Sequence, residues 1–157
     1  MYRNVKVAIC SSHPFTGFDD ESMDSINHHM REAKYFVQLT VGVTGTGDAQ
    51  VVHYVGLSND ATPTILHTLK NPGGWHPEWG NVLGQQALPS GVKLTNVCCS
   101  GNADGSLDVF AICTTSETAS SNWCKVYRTK RDISGWTPWT EMPRIPTAIG
   151  YSAVAFR

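Results

Sequence analysis

The chain has 157 residues, 41% of them apolar and only 16% charged, with a net charge of −1. That length sustains one domain with a real core and is too short for two. Charged residues fall below the globular average of about 25%, and no basic run supplies the phosphate contacts on which nucleic-acid affinity rests, so that class of partner is set aside.

In chain order, residues 1–35 form an N-terminal extension. A strand is predicted over 4–10 and a short amphipathic helix over 20–34, with Met23, Ile26, Met30 and Ala33 on one face and Asp20 as its N-cap. No apolar h-region with a small-residue cleavage site precedes it, and no run approaches 18 apolar residues. The expectation is a soluble chain without a recognisable export signal, cytoplasmic or released by another route, and without membrane insertion. Five cysteines, Cys10, Cys98, Cys99, Cys113 and Cys124, are an odd number, and two are adjacent. Free thiols are expected in place of a disulfide scaffold, with Cys98 and Cys99 facing opposite sides of a strand.

From residue 36 onward the chain repeats itself with a period of about sixty residues. Gly74-Trp75 and Gly135-Trp136 anchor the alignment, each followed by a proline and a second tryptophan, Trp79 or Trp139. Upstream, Gly45 to Asp48 is aligned on Gly101 to Asp104 as a Gly-x-x-Asp turn, with Asp48 and Asp104 as turn formers. Each copy reads as four short strands. In the first copy, residues 36–90, these are LTVGV, QVVHYVGL, ILHTLK and residues 75–83. In the second, residues 91–146, they are LTNVCC, LDVFAIC, WCKVYRTK and residues 136–142. Residues 147–157 open a third copy with GYSAVAF. Evenly spaced short strands with turn signals predict an all-β fold, and the repeated aromatic points to β-propeller blades, two complete and one partial.

The second copy, DGSLDVFAICTTSETASSNWCKVYRTKRDISGWTPWTEMP, resembles the blade of the bacterial seven-bladed β-propeller lectins of the Photorhabdus type, built on D-G-x-L-x-V-F-A, a Trp-containing strand and G-G-W-x-x-W. More distantly the chain resembles the small fucose lectins whose two-blade chains assemble into a ring. The likeness covers residues 36–157 and does not reach the first 35. It implies a lectin that binds fucose and related sugars between neighbouring blades, with no cofactor. Two blades cannot close a ring, and open sheet edges invite pairing. Completion is therefore expected by a homo-oligomer, dimer or trimer, or by pairing of the N-terminal strand VKVAIC with the C-terminal GYSAVAF in a third blade.

Sugars present C–H faces and hydroxyls together, so their sites combine an aromatic platform with polar groups. Trp75, Trp79, Trp136 and Trp139 are the candidates, one of each pair serving as core and the other as platform, with Trp75 and Trp136 preferred. Tyr54, His76, Glu78, Tyr127 and Arg128 are the nearby polar candidates, with His53 and His67 also on these strands. Trp123, which lacks a counterpart, is assigned to packing. His28 and His29, near His13 and Cys10, diverge by about 100° on a helix and make a poor metal site.

No G-x-S-x-G elbow, H-E-x-x-H, P-loop or G-x-G-x-x-G occurs, and Gly45-x-Gly47 has no following helix to cradle a phosphate. An enzyme is not expected. Two further readings stay open: a non-catalytic protein-interaction or structural propeller, and a glycan-processing hydrolase with a degenerate repeat.

Overall fold

The computed structural model describes residues 6–9, 36–76, 78–115 and 124–143. The expected helix over 20–34, the His13 and His28-His29 cluster with Cys10, Trp123 and the partial third copy at 147–157 lie outside the described residues.

The architecture is all-β, two stacked antiparallel sheets that do not close on one another. The first sheet orders β1 (Lys6–Ile9), β2 (Phe36–Thr44), β3 (Val51–Ser58), β4 (Ile65–Asn71) and β5 (Gly74–Trp75), with β6 (Gly80–Asn81) also pairing β4. The second orders β7 (Val92–Gly101), β8 (Leu107–Thr115), β9 (Cys124–Asp132) and β10 (Gly135–Trp136), with β11 (Thr140–Glu141) also on β9. We call them sheets A and B. The strand expected over 4–10 is present as β1, and it runs parallel to β2 at the edge of sheet A. It therefore occupies a different position from the second strand of a third blade.

Composition explains which strands are central. In β3 and β8 nearly every residue is buried, because both faces of these runs of Val, Leu, Ile, Phe and Ala are covered. The flanking β9 mixes buried Tyr127 and Thr129 with exposed Arg128, so it has one wet face.

The two sheets share their irregularities as well as their order. The first strand of each carries a bulge at the same point: Phe36↔Ser58 gives way to Gln38↔Leu57 in sheet A, and Leu94↔Cys113 to Asn96↔Ile112 in sheet B. The turn after the third strand also recurs. Asn71 Oδ1 accepts from Gly73 N at 2.9 Å, and Asp132 Oδ1 from Ser134 N at 2.7 Å. The chain then escapes through Gly74 or Gly135, whose φ of 126° and 116° favours glycine. Lys70↔Trp75 in sheet A thus becomes Arg131↔Trp136 in sheet B.

Two expectations need correction. The fourth strand is no continuous run over 75–83 or 136–142, since only two-residue pieces pair on either side of the second tryptophan. A proline at 77 or 138 withholds the N–H a ladder needs. After β6 the chain turns into one helical turn, Val82–Gln85, capped by Asn81 Oδ1 accepting from Gly84 N at 2.8 Å. The two Gly-x-x-Asp segments are also not equivalent. Gly45 lies in the turn with φ 76°, whereas Gly101 ends β7 and is buried. Only Asp104 acts as the expected local acceptor, from Ser106 N at 2.9 Å.

Sheet B lays β7 against β2 of sheet A. A Cβ on Gly101 would fall on the backbone of Val43, and one on Gly42 would come within 2.9 Å of Leu107 Cδ1, so two glycines permit this approach. Gly45 N donates to Asn102 O at 3.0 Å and Val97 N to Gln38 Oε1 at 3.0 Å across the junction. Val55, Leu57 and Ile65 of sheet A pack with Val97, Leu107, Val109 and Ala111 of sheet B. Trp136 and Trp139 join this shared core, while Trp75 and Trp79 pack with Leu39, Val41 and Tyr54 on the opposite side of sheet A. The tryptophan-bearing face of sheet B therefore meets sheet A, and that of sheet A points away from sheet B. The sheets are stacked head to tail.

Candidate functional site

Head-to-tail stacking gives the two tryptophan pairs different surroundings. Trp139 is fixed between the sheets, its indole N–H donating to the Gln86 carbonyl at 2.7 Å. The amide of Gln86 in turn donates to the Trp136 carbonyl at 3.2 Å. The half-buried Trp136 ring stands edge-on to His67, with centroids 5.3 Å apart and planes at 86°. Trp75 lies 4.9 Å from Tyr54 and Trp79 4.8 Å from Phe36, and the Lys70 ammonium sits 6.0 Å above the Trp75 ring.

Behind Trp136 is a polar chain. His53 on β3 is 2% exposed and His67 on β4 is 8% exposed. The ladder pairs His53 with Leu69 and Val55 with His67, so the two imidazoles are diagonal neighbours on the face toward sheet B. His53 Nε2 lies 2.9 Å from Thr44 Oγ1, and His53 Nδ1 lies 3.0 Å from His67 Nε2. Burial, and then the Arg131 charge, lowers the His53 pKa to about 3. Burial first, with His53, Arg131 and His76 adding to it, lowers that of His67 to about 2. Both rings are thus neutral at pH 7, and one proton occupies each contact. If the Thr44 hydroxyl donates, His67 Nδ1 ends the chain as a donor; if the order reverses, it is an acceptor. That nitrogen has no hydrogen-bond partner among the described residues, so the chain can answer either half of a hydroxyl group.

Arg131 on β9 lies opposite Leu107 and beside Trp136, on the face toward sheet A. Its half-buried guanidinium acts on both histidines. Burial lowers its pKa against the pull of Asp132, yet it stays charged. His76, exposed between Trp75 and Trp79, is tied to β4 through its amide to Leu69 O at 2.9 Å. Its Nδ1 donates to the Glu78 carbonyl at 3.2 Å.

Of the expected site residues, the structure brings Trp136 and His76 close to His67, with Arg131 and Gln86. Trp75, Trp79 and Tyr54 form a separate apolar cluster, in which Tyr54 is 2% exposed. Tyr127, 3% exposed, joins the shared core and donates its hydroxyl to Glu141 at 3.3 Å. Glu78 contributes its carbonyl to His76, and its side chain is exposed. Arg128 is on the far face of sheet B, bound to Asp108 through Nε at 2.9 Å and Nη2 at 2.8 Å. Sequence reasoning missed Arg131, Gln86 and the coupling of His53 to His67. The signal for the last was two histidines at positions that a hairpin register makes diagonal.

Among the described residues no group of three or more His, Cys, Asp or Glu is placed to hold a metal. Cys98, Cys99, Cys113 and Cys124 are free thiols, and burial, reinforced by Cys124, pushes the Cys113 thiol up to about 12, which leaves it unreactive. Cys99 faces sheet A, 3.5 Å from Thr40 Oγ1, while Cys98 pairs with Phe110 in the ladder, one thiol on each face as expected. No helix among the described residues is long and apolar enough to cross a membrane. The chain matches no family model, no curated protein and no solved structure.

Proposed function

We propose that the protein is a lectin that binds saccharides in the crevice between its two sheets, each sheet serving as one blade of a ring completed by further copies of the chain. The observation that carries this reading is the half-buried Trp136 ring beside the open end of the Thr44–His53–His67 chain. An indole offers a platform to sugar C–H groups, and a neutral imidazole able to donate or accept suits a hydroxyl. Binding of this kind needs no cofactor, and weak shallow sites gain strength by repetition around a ring.

Head-to-tail order supports the ring. Sheet A meets sheet B with the face opposite its tryptophans and sheet B meets sheet A with its tryptophan face, a head-to-tail order that further copies could continue. The competing reading is a propeller scaffold in which all the tryptophans are packing, and the Trp139 bond to Gln86 favours it for that residue. A glycan-array screen of the purified protein, with light scattering on the same sample, separates the two. The lectin reading predicts selective binding by an oligomer, lost in Trp136→Ala and retained in Trp79→Phe. A folded oligomer that binds no glycan would leave the scaffold.

A further inference from the structure

The cations of β9 are treated unequally. Lys125 pairs with Glu141 at 3.1 Å, Arg128 with Asp108 at 2.8 Å and Lys130 with Asp104 at 3.4 Å. Arg131, the fourth and the one beside Trp136, has a guanidinium with neither an ion pair nor a hydrogen bond among the described residues. Its surroundings make this costly, because the guanidinium is half buried and its neighbours His53 and His67 on sheet A are neutral. Asp132 follows it in sequence and attracts it, but its Oδ1 is held by the Ser134 amide and hydroxyl in the turn and it forms no ion pair with Arg131. A partly desolvated guanidinium with five donors and no acceptor gains from a bidentate anion in a way that a well-solvated surface arginine does not.

We infer that the crevice selects acidic saccharides, Arg131 receiving a carboxylate or sulfate of the sugar while Trp136 carries its ring. This rests on the crevice being a sugar site, and it adds a chemical class that a neutral deoxy sugar such as fucose does not meet. The anion replaces water at the guanidinium fork, the sugar hydroxyls meet His67 and His76, and nothing is transferred. Arg131 is then the specificity-determining residue and Trp136 the platform.

The test is calorimetric titration of the intact protein with matched pairs: a galacturonate trisaccharide and its methyl ester, 3′-sialyllactose and lactose, and a sulfated disaccharide with its unsulfated form. At least one acidic member is expected to bind ten times or more tighter than its neutral partner, the advantage shrinking as salt rises and vanishing in Arg131→Gln. Which pair responds separates carboxylate from sulfate. The methyl ester removes charge from the ligand alone, so the comparison decides even if Arg131→Gln fails to fold. Neutral members binding as tightly as acidic ones would overturn the inference and leave the sugar site standing. Acidic binding unchanged in a folded Arg131→Gln protein would also overturn it. No binding to any of these probes or to any arrayed glycan would remove both.

Discussion

Sheets A and B place a polar pair at the same diagonal of their second and third strands and fill it in opposite ways. In sheet A it is His53 and His67, neutral and sealed toward sheet B. In sheet B it is Asp108 and Arg128, whose side chains are 13% and 43% exposed. Matching registers prove the equivalence: His53↔Leu69 and Val55↔His67 recur as Asp108↔Lys130 and Phe110↔Arg128. The lesson is that position in the stack sets the chemistry. A pair closed in by a second sheet avoids the cost of burying charge by staying neutral, whereas one with a wet end can ionise.

The largest expected effect breaks the stacking that creates this difference. Gly101→Ala puts a Cβ on the Val43 backbone, which cannot retreat, and should cost about 3 kcal/mol or more, beyond the usual range for overpacking. Gly42→Ala meets the end of the Leu107 side chain and should cost less. Thermal denaturation of the two variants checks the order, and equal losses would mean that the β2–β7 junction is looser than described.

Next is the neutral pair itself. Both imidazoles have folded pKa values, about 3 and about 2, below the 6.5 of the unfolded chain. As pH falls below 6.5 the unfolded chain takes up protons that the folded state refuses. Stability is therefore intact above 6.5 and declines below it, by up to about 1.4 kcal/mol per pH unit for each histidine. Urea midpoints at pH 7.5 and 5 should separate widely for the native protein and much less for His53→Phe with His67→Leu. An unchanged separation would show that the acid sensitivity arises elsewhere.

In sheet B, Arg128→Gln leaves the Asp108 carboxylate with only the Asn102 amide at 3.1 Å among the described residues and should cost about 1 to 3 kcal/mol. The smallest effect contrasts the second tryptophans. Trp139→Phe loses the bond to Gln86 and should cost about 1 kcal/mol more than Trp79→Phe, whose indole makes no hydrogen bond among the described residues. Similar melting temperatures for these two would put the Gln86 strut in doubt.

Much of this fold was legible in the sequence, and the reasons are specific. The Gly-Trp anchors marked equivalent positions because each follows an Asx-type turn that needs a glycine with positive φ. Strand alternation and apolar runs gave four strand regions per copy. Register was not legible. The link between first and second strands differs in length between the copies, so aligning Gly45 with Gly101 matched a turn glycine to one required by a neighbouring backbone. Without register the diagonal histidines stayed two separate residues, and Arg131 was one cation among four on its strand. The tryptophans were visible as candidates, but only the stacking order distinguishes Trp136, between the sheets, from Trp75, on the far side of sheet A.

That distinction offers the most direct test of the central claim, that sugar is bound between the sheets. With the tryptophan indoles labelled by nitrogen-15, a glycan that binds on the array is titrated into the protein and the five indole signals are followed. The account predicts a saturating shift of the Trp136 signal, assigned through Trp136→Phe, at concentrations where the Trp79 signal holds still. A saturating shift confined to Trp75 and Trp79, with Trp136 unmoved, would contradict it.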